Sequence, residues 1–302
     1  MDKFETDKCC AIVVTYKPDI TALLKLLGQL NKEINFVVVD NGTPDIAHLA
    51  ESICVYDRCK ALIRLDENVG LAKALNNGIG WAEKNRCEFV FLFDQDSSIC
   101  DLFISRMIKA YREVEKHSSK GVAAVGPRLI NPQSMRQTPF KLFSRLFLRT
   151  DRPFANFKNH FIADFLITSG TLIALKHMNH IGTMKEDYFI DNVDLEWCFR
   201  AKSKGYDLVG TDDALLYHAI GELSQSPLVK AGIIAKHNPS RTYYSSRNRT
   251  HLYGVSYSPL GWKLRDIVRF TLKSIWLVIS STERKLYWKN IRSGIRDAKT
   301  IS

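Results

Sequence analysis

Phe89-Val90-Phe91-Leu92-Phe93-Asp94-Gln95-Asp96-Ser97 is the stretch on which the fold of this 302-residue chain turns. Five apolar residues in a row, with no polar alternation, describe a strand buried on both faces, as in a parallel sheet. The run stops at two carboxylates one residue apart. In open α/β sheets ligands bind just beyond the carboxyl ends of such strands. An Asp-x-Asp there suits a hard divalent cation, which takes oxygen ligands and shares them with substrate phosphates. Short acidic pairs are equally ordinary in turns, so the pair taken alone also fits a polar turn closing a core strand.

Working outward, the same pattern repeats. Cys10–Tyr16 is a buried strand stopped by Lys17-Pro18-Asp19, and Ile20, Leu23, Leu24, Leu27 and Leu30 follow at helical spacing. Phe36-Val37-Val38-Val39 is a second buried strand ending at Asp40-Asn41-Gly42, a hairpin-type turn with a helix start, not a partner strand, after it. A short strand over 62–65 leads to Asn68-Val69-Gly70, which opens a helix over 71–83. That helix N-terminus is either a plain cap or a seat for phosphate on its unpaired N–H groups. Val122–Val125, Phe165–Ile173, Asp207–Val209 and Ala214–Tyr217 add further strands. Alternating strands and helices predict an α/β fold with a mostly parallel sheet flanked by helices.

Composition is that of a globular chain, 45% hydrophobic and 25% charged. Seven scattered cysteines, with no Cys-x-x-Cys, argue against a disulfide framework or a zinc site and for a reducing compartment. Met1-Asp2-Lys3-Phe4-Glu5 is charged and unlike a signal peptide, and no apolar run approaches the ~20 residues that span a bilayer. A cytoplasmic location follows. The net charge of +11 is concentrated in two segments. Residues 128–158 hold seven basic residues against Asp151, and 262–302 hold ten against three acidic. Such segments serve nucleic acid, anionic lipid or a phosphorylated substrate. Nucleic acid is the poorer fit, since strand-end carboxylates repel phosphate. The aromatic-rich 128–161 stretch reads as an excursion over the active face, outside the core.

A second acidic cluster, Asp191-Asn192-Val193-Asp194-Leu195-Glu196, precedes a helix closed by Gly205. Asp194 is placed as a helix cap, yet three carboxylates this close call for a neighbouring positive charge. His218 follows a strand end, where it is either structural or a metal or phosphate contact. Arg247, among Tyr243 and Tyr244, offers a guanidinium fork that matches phosphate.

Together these residues resemble the inverting family-two glycosyltransferases with the GT-A (Rossmann-like) fold, and within them the rhamnosyltransferases that use dTDP-L-rhamnose. The motifs, in the family's order, are Val14-Thr15-Tyr16, Val38-Val39-Asp40-Asn41-Gly42, Asn68-x-Gly70-Leu71-Ala72, Asp94-Gln95-Asp96, Ile167-Thr168-Ser169-Gly170, Val193-Asp194-Leu195-Glu196-Trp197, His218-x-Ile220-Gly221 and Tyr243-Tyr244-x-x-Arg247-Asn248. The resemblance runs from Ile12 to about Tyr253. It implies that Thr15, Tyr16, Asp40, Asn68, Gly70 and Lys73 line the nucleotide, with Asp94 and Arg247 toward the diphosphate. It implies Mg²⁺ or Mn²⁺ on Asp94 and Asp96, with His218 as an extra ligand. Asp194 matches the general base, with Asp191 as a rival because Val193 stands where many relatives have Glu, and Glu196 as a further carboxylate of the catalytic group. The implied reaction moves L-rhamnose to a saccharide acceptor carried on a polyprenyl diphosphate, in cell-surface polysaccharide or O-antigen synthesis. A UDP-linked donor, or a catalytically degenerate relative that only binds sugar nucleotides, are the alternatives.

Residues 1–261 are therefore expected to form the GT-A domain. Residues 262–302 form a basic helical extension in which Trp262, Ile267, Phe270, Ile275, Trp276, Tyr287 and Trp288 interleave with basic side chains. Two readings of that extension stand: peripheral attachment to the inner face of the plasma membrane, or packing on the core or on a second copy in an oligomer.

Overall fold

The computed structural model describes residues 8–44, 47–143, 149–218 and 239–301. Strand β1 (Cys9–Thr15) is central, paired in parallel with β2 (Phe36–Asp40) on one side and β4 (Phe89–Asp94) on the other. β3 (Cys59–Arg64) extends the parallel order beyond β2. On the far side of β4 the sheet becomes mixed. β11 (Thr171–Ala174) enters antiparallel between β4 and β6 (Val122–Ile130). β12 (Asp207–Tyr217) runs parallel to β6, and β10 (His160–Ala163) closes the edge antiparallel. The order is β10-β12-β6-β11-β4-β1-β2-β3. Short strands β5 (Ser98–Ile99) and β7 (Gln137–Thr138) join β12 and β6, while β8 (Lys141–Leu142) and β9 (Arg149–Thr150) form a separate pair.

The fold is thus the expected α/β sheet flanked by helices, with two parallel blocks joined through an antiparallel strand. The stretch 165–173 contributes only its end to β11; Phe165–Ser169 is a connection folded against β4. Residues 207–217 form one strand, interrupted by a register shift between Thr211 and Leu215.

Alternate residues of the central strands face opposite layers. Ala11, Val13, Phe91 and Phe93 pack against α1 (Ile20–Glu33) and α4 (Phe103–Glu115), α2 (Ala47–Ile53) lying at the same layer's edge. Ile12, Val14, Val90 and Leu92 pack against α3 (Leu71–Lys84) and α6 (Val193–Ser203), with the short α5 (Met178–Ile181) beside them. Burial on both faces is why these strands are continuous apolar runs.

Placement of the aromatics of 128–161 outside the core is corrected by the structure. Phe140, Phe143 and Phe154 are buried, and Phe140 stacks on Phe161 at 5.7 Å between ring centroids. Arg128 lies over both rings and is ion-paired to Asp151 and Asp212, so part of this basic segment is spent on internal structure.

The C-terminal helices α7 (Pro239–Gly254), α8 (Leu260–Ser280) and α9 (Arg284–Asp297) pack in series, α9 against α7 and α8 against α9. Packing is continuous across 261/262: Trp262 sits edge-on against Phe199 at 5.2 Å, and buried Asp266 binds Arg249 of α7 through both carboxylate oxygens. α9 approaches α7 closely at Gly294, where an added Cβ would lie 2.5 Å from the Tyr243 carbonyl.

Candidate active site

The parallel register sets Thr15 opposite Asp40 and Val14 opposite Asp94, bringing two acid-tipped strands to one level at the carboxyl edge. Asp40 is buried, and its carboxylate accepts from the Thr15 hydroxyl (3.0 Å) and from both the amide (2.8 Å) and hydroxyl (2.6 Å) of Thr43. Its role in the structure is to close the loop after β2. The neighbouring loops are knitted by side-chain amides: Asn41 donates to Asn68 Oδ1, the Val69 amide donates to Asn41 Oδ1, and the Gly70 amide donates to Asn68 Oδ1. Gly70 has φ +89, and a Cβ there would meet the Phe189 backbone at 2.7 Å. The Leu71 amide, first of α3, donates to the Phe189 carbonyl at 2.5 Å. That N–H is therefore not open to a phosphate, although the exposed Lys73 of the same turn faces solvent.

Gln95, passed over in sequence, ties the Asp-Gln-Asp turn to β1. It accepts from the Tyr16 amide at 2.8 Å and donates to the Tyr16 carbonyl at 3.3 Å. On the other flank Ser169, fully buried, accepts from the Asp94 amide and lies 2.5 Å from the Ser97 hydroxyl. Asp94 is half-buried and Asp96 exposed. Burial raises the Asp94 carboxyl above its ordinary range, His218 opposes the rise, and Asp96 adds to it. His218 at the end of β12 has its Nδ1 3.7 Å from Asp96 Oδ1, and this buried nitrogen makes no hydrogen bond among the described residues. By donor type the two carboxylates suit a divalent cation of the Mg²⁺ or Mn²⁺ kind, with the unsatisfied imidazole nitrogen beside them, but the ligand atoms of Asp94, Asp96 and His218 are not all gathered within 4.8 Å of one another. Ile220 and Gly221 lie outside the described residues.

The described residues also contain a tighter cluster of metal-type side chains, Glu113, His160 and Asp213, far along the sheet from β4's tip. Both His160 nitrogens are already engaged, Nδ1 with Thr211 and Nε2 with Glu113, each at 3.0 Å. That group is a structural clamp between α4 and the sheet edge.

Asp194 sits in the first turn of α6 and accepts from the Leu195 amide at 2.8 Å. Burial pushes its carboxyl up to about 7; the Leu195 and Thr168 amides pull it down while Asp94 and Asp191 raise it. That the Asp94 charge is felt at Asp194 places the two acids near one another. Asp191 is differently placed: it is ion-paired to Arg241 through Nε (3.0 Å) and Nη2 (2.9 Å). Glu196 is apart from both. It is buried, bound by Arg200 through two hydrogen bonds of 2.8 Å and by the Tyr257 hydroxyl at 2.7 Å. Its place in the catalytic group is corrected accordingly: it fixes α6 from inside.

The loop leading into α6 is held in strained backbone, with Phe189, Asp191 and Asn192 all at φ between 55° and 65°. Asn248 of α7, wholly buried, holds this loop: its Nδ2 lies 2.8 Å from the carbonyls of Tyr188, Ile190 and Asp191. Arg247 does not reach the carboxylates. It donates to the Asp187 carbonyl and lies over the rings of Tyr243 and Tyr244, the latter stacked on Phe189. The arginine whose charge is felt at Asp94 is Arg241.

A GT-A-type sheet with an acid pair at one strand end and a second acid at a facing helix start is the plan of a nucleotide-sugar transferase. The Glycosyl transferase family 2 profile matches residues 10–168. The dTDP-rhamnosyl transferase RfbF of Shigella flexneri is 31% identical over 278 residues, 91% of this chain and 90% of its own. The chain belongs to glycosyl transferase family 2 and is a glycosyltransferase. Among solved structures, GalNAc-T7 with UDP, GalNAc and Mn²⁺ superposes with a TM-score of 0.62 at 13% identity, over 97% of this chain and 58% of that one. Residues 1–349 of S. aureus TarS, in complex with UDP-GlcNAc, give 0.60 at 15% identity, over 96% and 81%. These likenesses carry the fold.

Proposed function

We propose that the protein transfers L-rhamnose from dTDP-L-rhamnose, with inversion, to a saccharide acceptor carried on a polyprenyl diphosphate, in the synthesis of a cell-surface polysaccharide such as O-antigen. What carries the mechanism is the place of Asp194, at a helix start near Asp94, where burial pushes its carboxyl up to about 7. A general base works best with a pKa near the working pH. Asp194 takes the proton of the acceptor hydroxyl, and that oxygen attacks the anomeric carbon. The bond from that carbon to the diphosphate oxygen breaks, and its electron pair leaves with the nucleoside diphosphate. Asp94, Asp96 and His218 would hold Mg²⁺ or Mn²⁺, whose chemistry is to neutralise charge developing on the leaving diphosphate. Asp191 stays paired with Arg241 and shapes the loop, which favours Asp194 as the base over its rival. Thr15, Tyr16, Asn68, Gly70 and Lys73 border the side where the nucleotide would lie. The 31% identity to a dTDP-rhamnosyl transferase supports the donor. Among the described residues no helix is long and apolar enough to cross a membrane.

The test is release of nucleoside diphosphate across a panel of nucleotide sugars, with Mg²⁺, Mn²⁺ or EDTA. Turnover of dTDP-rhamnose that needs the metal and is lost in Asp96→Ala supports the reading. Turnover of a UDP-sugar in its place overturns the donor. Neither turnover nor binding with any donor makes the chain a degenerate relative.

A further inference from the structure

α8 is amphipathic the wrong way round for a helix on a soluble surface. Its charged Asp266 faces inward, clasped by Arg249, Arg269 and Tyr253, and Trp262 and Leu277 are buried beside it. At 100° per residue, this orientation turns Leu264, Val268, Leu272, Ile275 and Ile279 outward as one stripe. These side chains are between 46% and 77% exposed. With Leu260 and Ile267 on its margin, the stripe runs most of the 21-residue helix, about 30 Å at 1.5 Å per residue. No charged residue interrupts it; Lys263 borders one side, Arg265 and Arg269 the other. α9 adds exposed Trp288 amid Arg284, Lys285 and Lys289. Other aromatics of the segment, Trp262 and Tyr287, serve the core.

An uncovered apolar stripe of this length marks a docking surface. Charge decides what covers it. A second copy packed face to face would set the ten basic residues of 262–302 against ten more, with three acidic residues on each side and Asp266 already buried. An anionic lipid leaflet meets both features, taking up the apolar face and attracting the basic flanks, as interfacial helices do. An exposed Trp is the aromatic that settles at headgroup level.

We infer that the outward face of α8 lies in the plane of an anionic membrane leaflet and anchors the enzyme there. The purpose rests on a lipid-linked acceptor; the test does not, because vesicle binding is read with neither donor nor acceptor present. Full-length protein is sedimented with vesicles of phosphatidylcholine alone and of equimolar phosphatidylcholine and phosphatidylglycerol, and Trp emission is recorded. Binding should appear with the anionic vesicles, weaken with salt and shift emission to the blue. It should fall roughly tenfold or more in Val268→Asn/Leu272→Asn/Ile275→Asn, all surface positions, and also fall in Lys285→Ser/Lys289→Ser. Donor hydrolysis should stay unchanged in the triple variant, showing an intact fold. Equal vesicle binding by the triple variant, or no binding by the native protein, overturns the inference. So does a native dimer that the triple substitution converts to monomer, which would put a second copy on the stripe.

Discussion

Replacing Asn248 by Ala tests whether the strained loop before α6 is held from α7. The amide has two N–H donors shared among three carbonyls, those of Tyr188, Ile190 and Asp191. The Tyr188 carbonyl also accepts from the Ile190 amide, so the loss falls chiefly on Ile190 and Asp191. Each buried carbonyl left without a donor costs about 1 kcal/mol or more, giving roughly 2–3 kcal/mol for the two. Three residues at positive φ hold about 1 kcal/mol or more of strain each, so a freed loop relaxes and carries Asp191 and the start of α6 with it. A displacement of the order of 1 Å at a catalytic group costs roughly 10²-fold in rate. We therefore expect a lower urea midpoint and a loss of roughly two orders of magnitude in kcat for diphosphate release by the folded protein. Asn248→Asp keeps the shape but faces three carbonyls with acceptors alone, and should be no better than Ala. An Asp variant close to native in both assays would show that volume, not donation, matters, and would refute the reasoning.

Asp194 as base must be ionised, so kcat/KM should rise with pH through about 7 and fall below it, where a proton occupies the carboxylate. Asp194→Asn should lose roughly 10²–10⁴-fold and flatten that limb; a native profile in the variant would remove Asp194 from the role. Gly70→Ala combines φ +89 with a Cβ 2.7 Å from the Phe189 backbone, so thermal unfolding should show a large loss of stability; a native midpoint would mean the two loops are not in contact. Burial alone would raise the Asp266 carboxyl, but Arg249 and Arg269 outweigh it and hold it below the ordinary carboxylate range. A depressed folded pKa gives stability that is present above the unfolded value and lost as pH falls through the folded one. Asp266→Asn should therefore lower stability at pH 7 and shrink the difference from native below about pH 4 in urea titrations.

β1, β2 and β4 were legible because each is an uninterrupted apolar run ended by a polar turn, whereas β3, with Lys60 and Arg64 in it, begins three residues before the apolar stretch that marks it. β11 was not, since the four residues Thr171-Leu172-Ile173-Ala174 after Gly170 do not reveal their direction. The acid pair and Asp194 stand out because charge ends a hydrophobic pattern beside each. Arg241 does not stand out, and Asn248 does so only as part of the Tyr243–Asn248 motif: both act through partners some fifty or sixty positions upstream, and no local pattern carries that. The Asn68-x-Gly70 reading shows the same limit from the other side. The helix start is real, but the carbonyl that occupies its first amide comes from Phe189 in a distant loop. Glu196 misleads for a physical reason, as a buried ion pair with Arg200 has the same residue types as a catalytic carboxylate.

The clasp on the Asp191 loop comes from a helix that lies, in the chain, after every described strand of the sheet. A ribosome that has released residues up to 218 has delivered all the described strands of the sheet and all the proposed acids, yet neither Arg241 nor Asn248. The site is finished only when α7 docks, and Gly294 of α9 then seats against it. The order of synthesis thus puts the proposed acids ahead of the groups that hold their loop, and Leu252 and Trp262 of the late helices also complete the core on that face of the sheet.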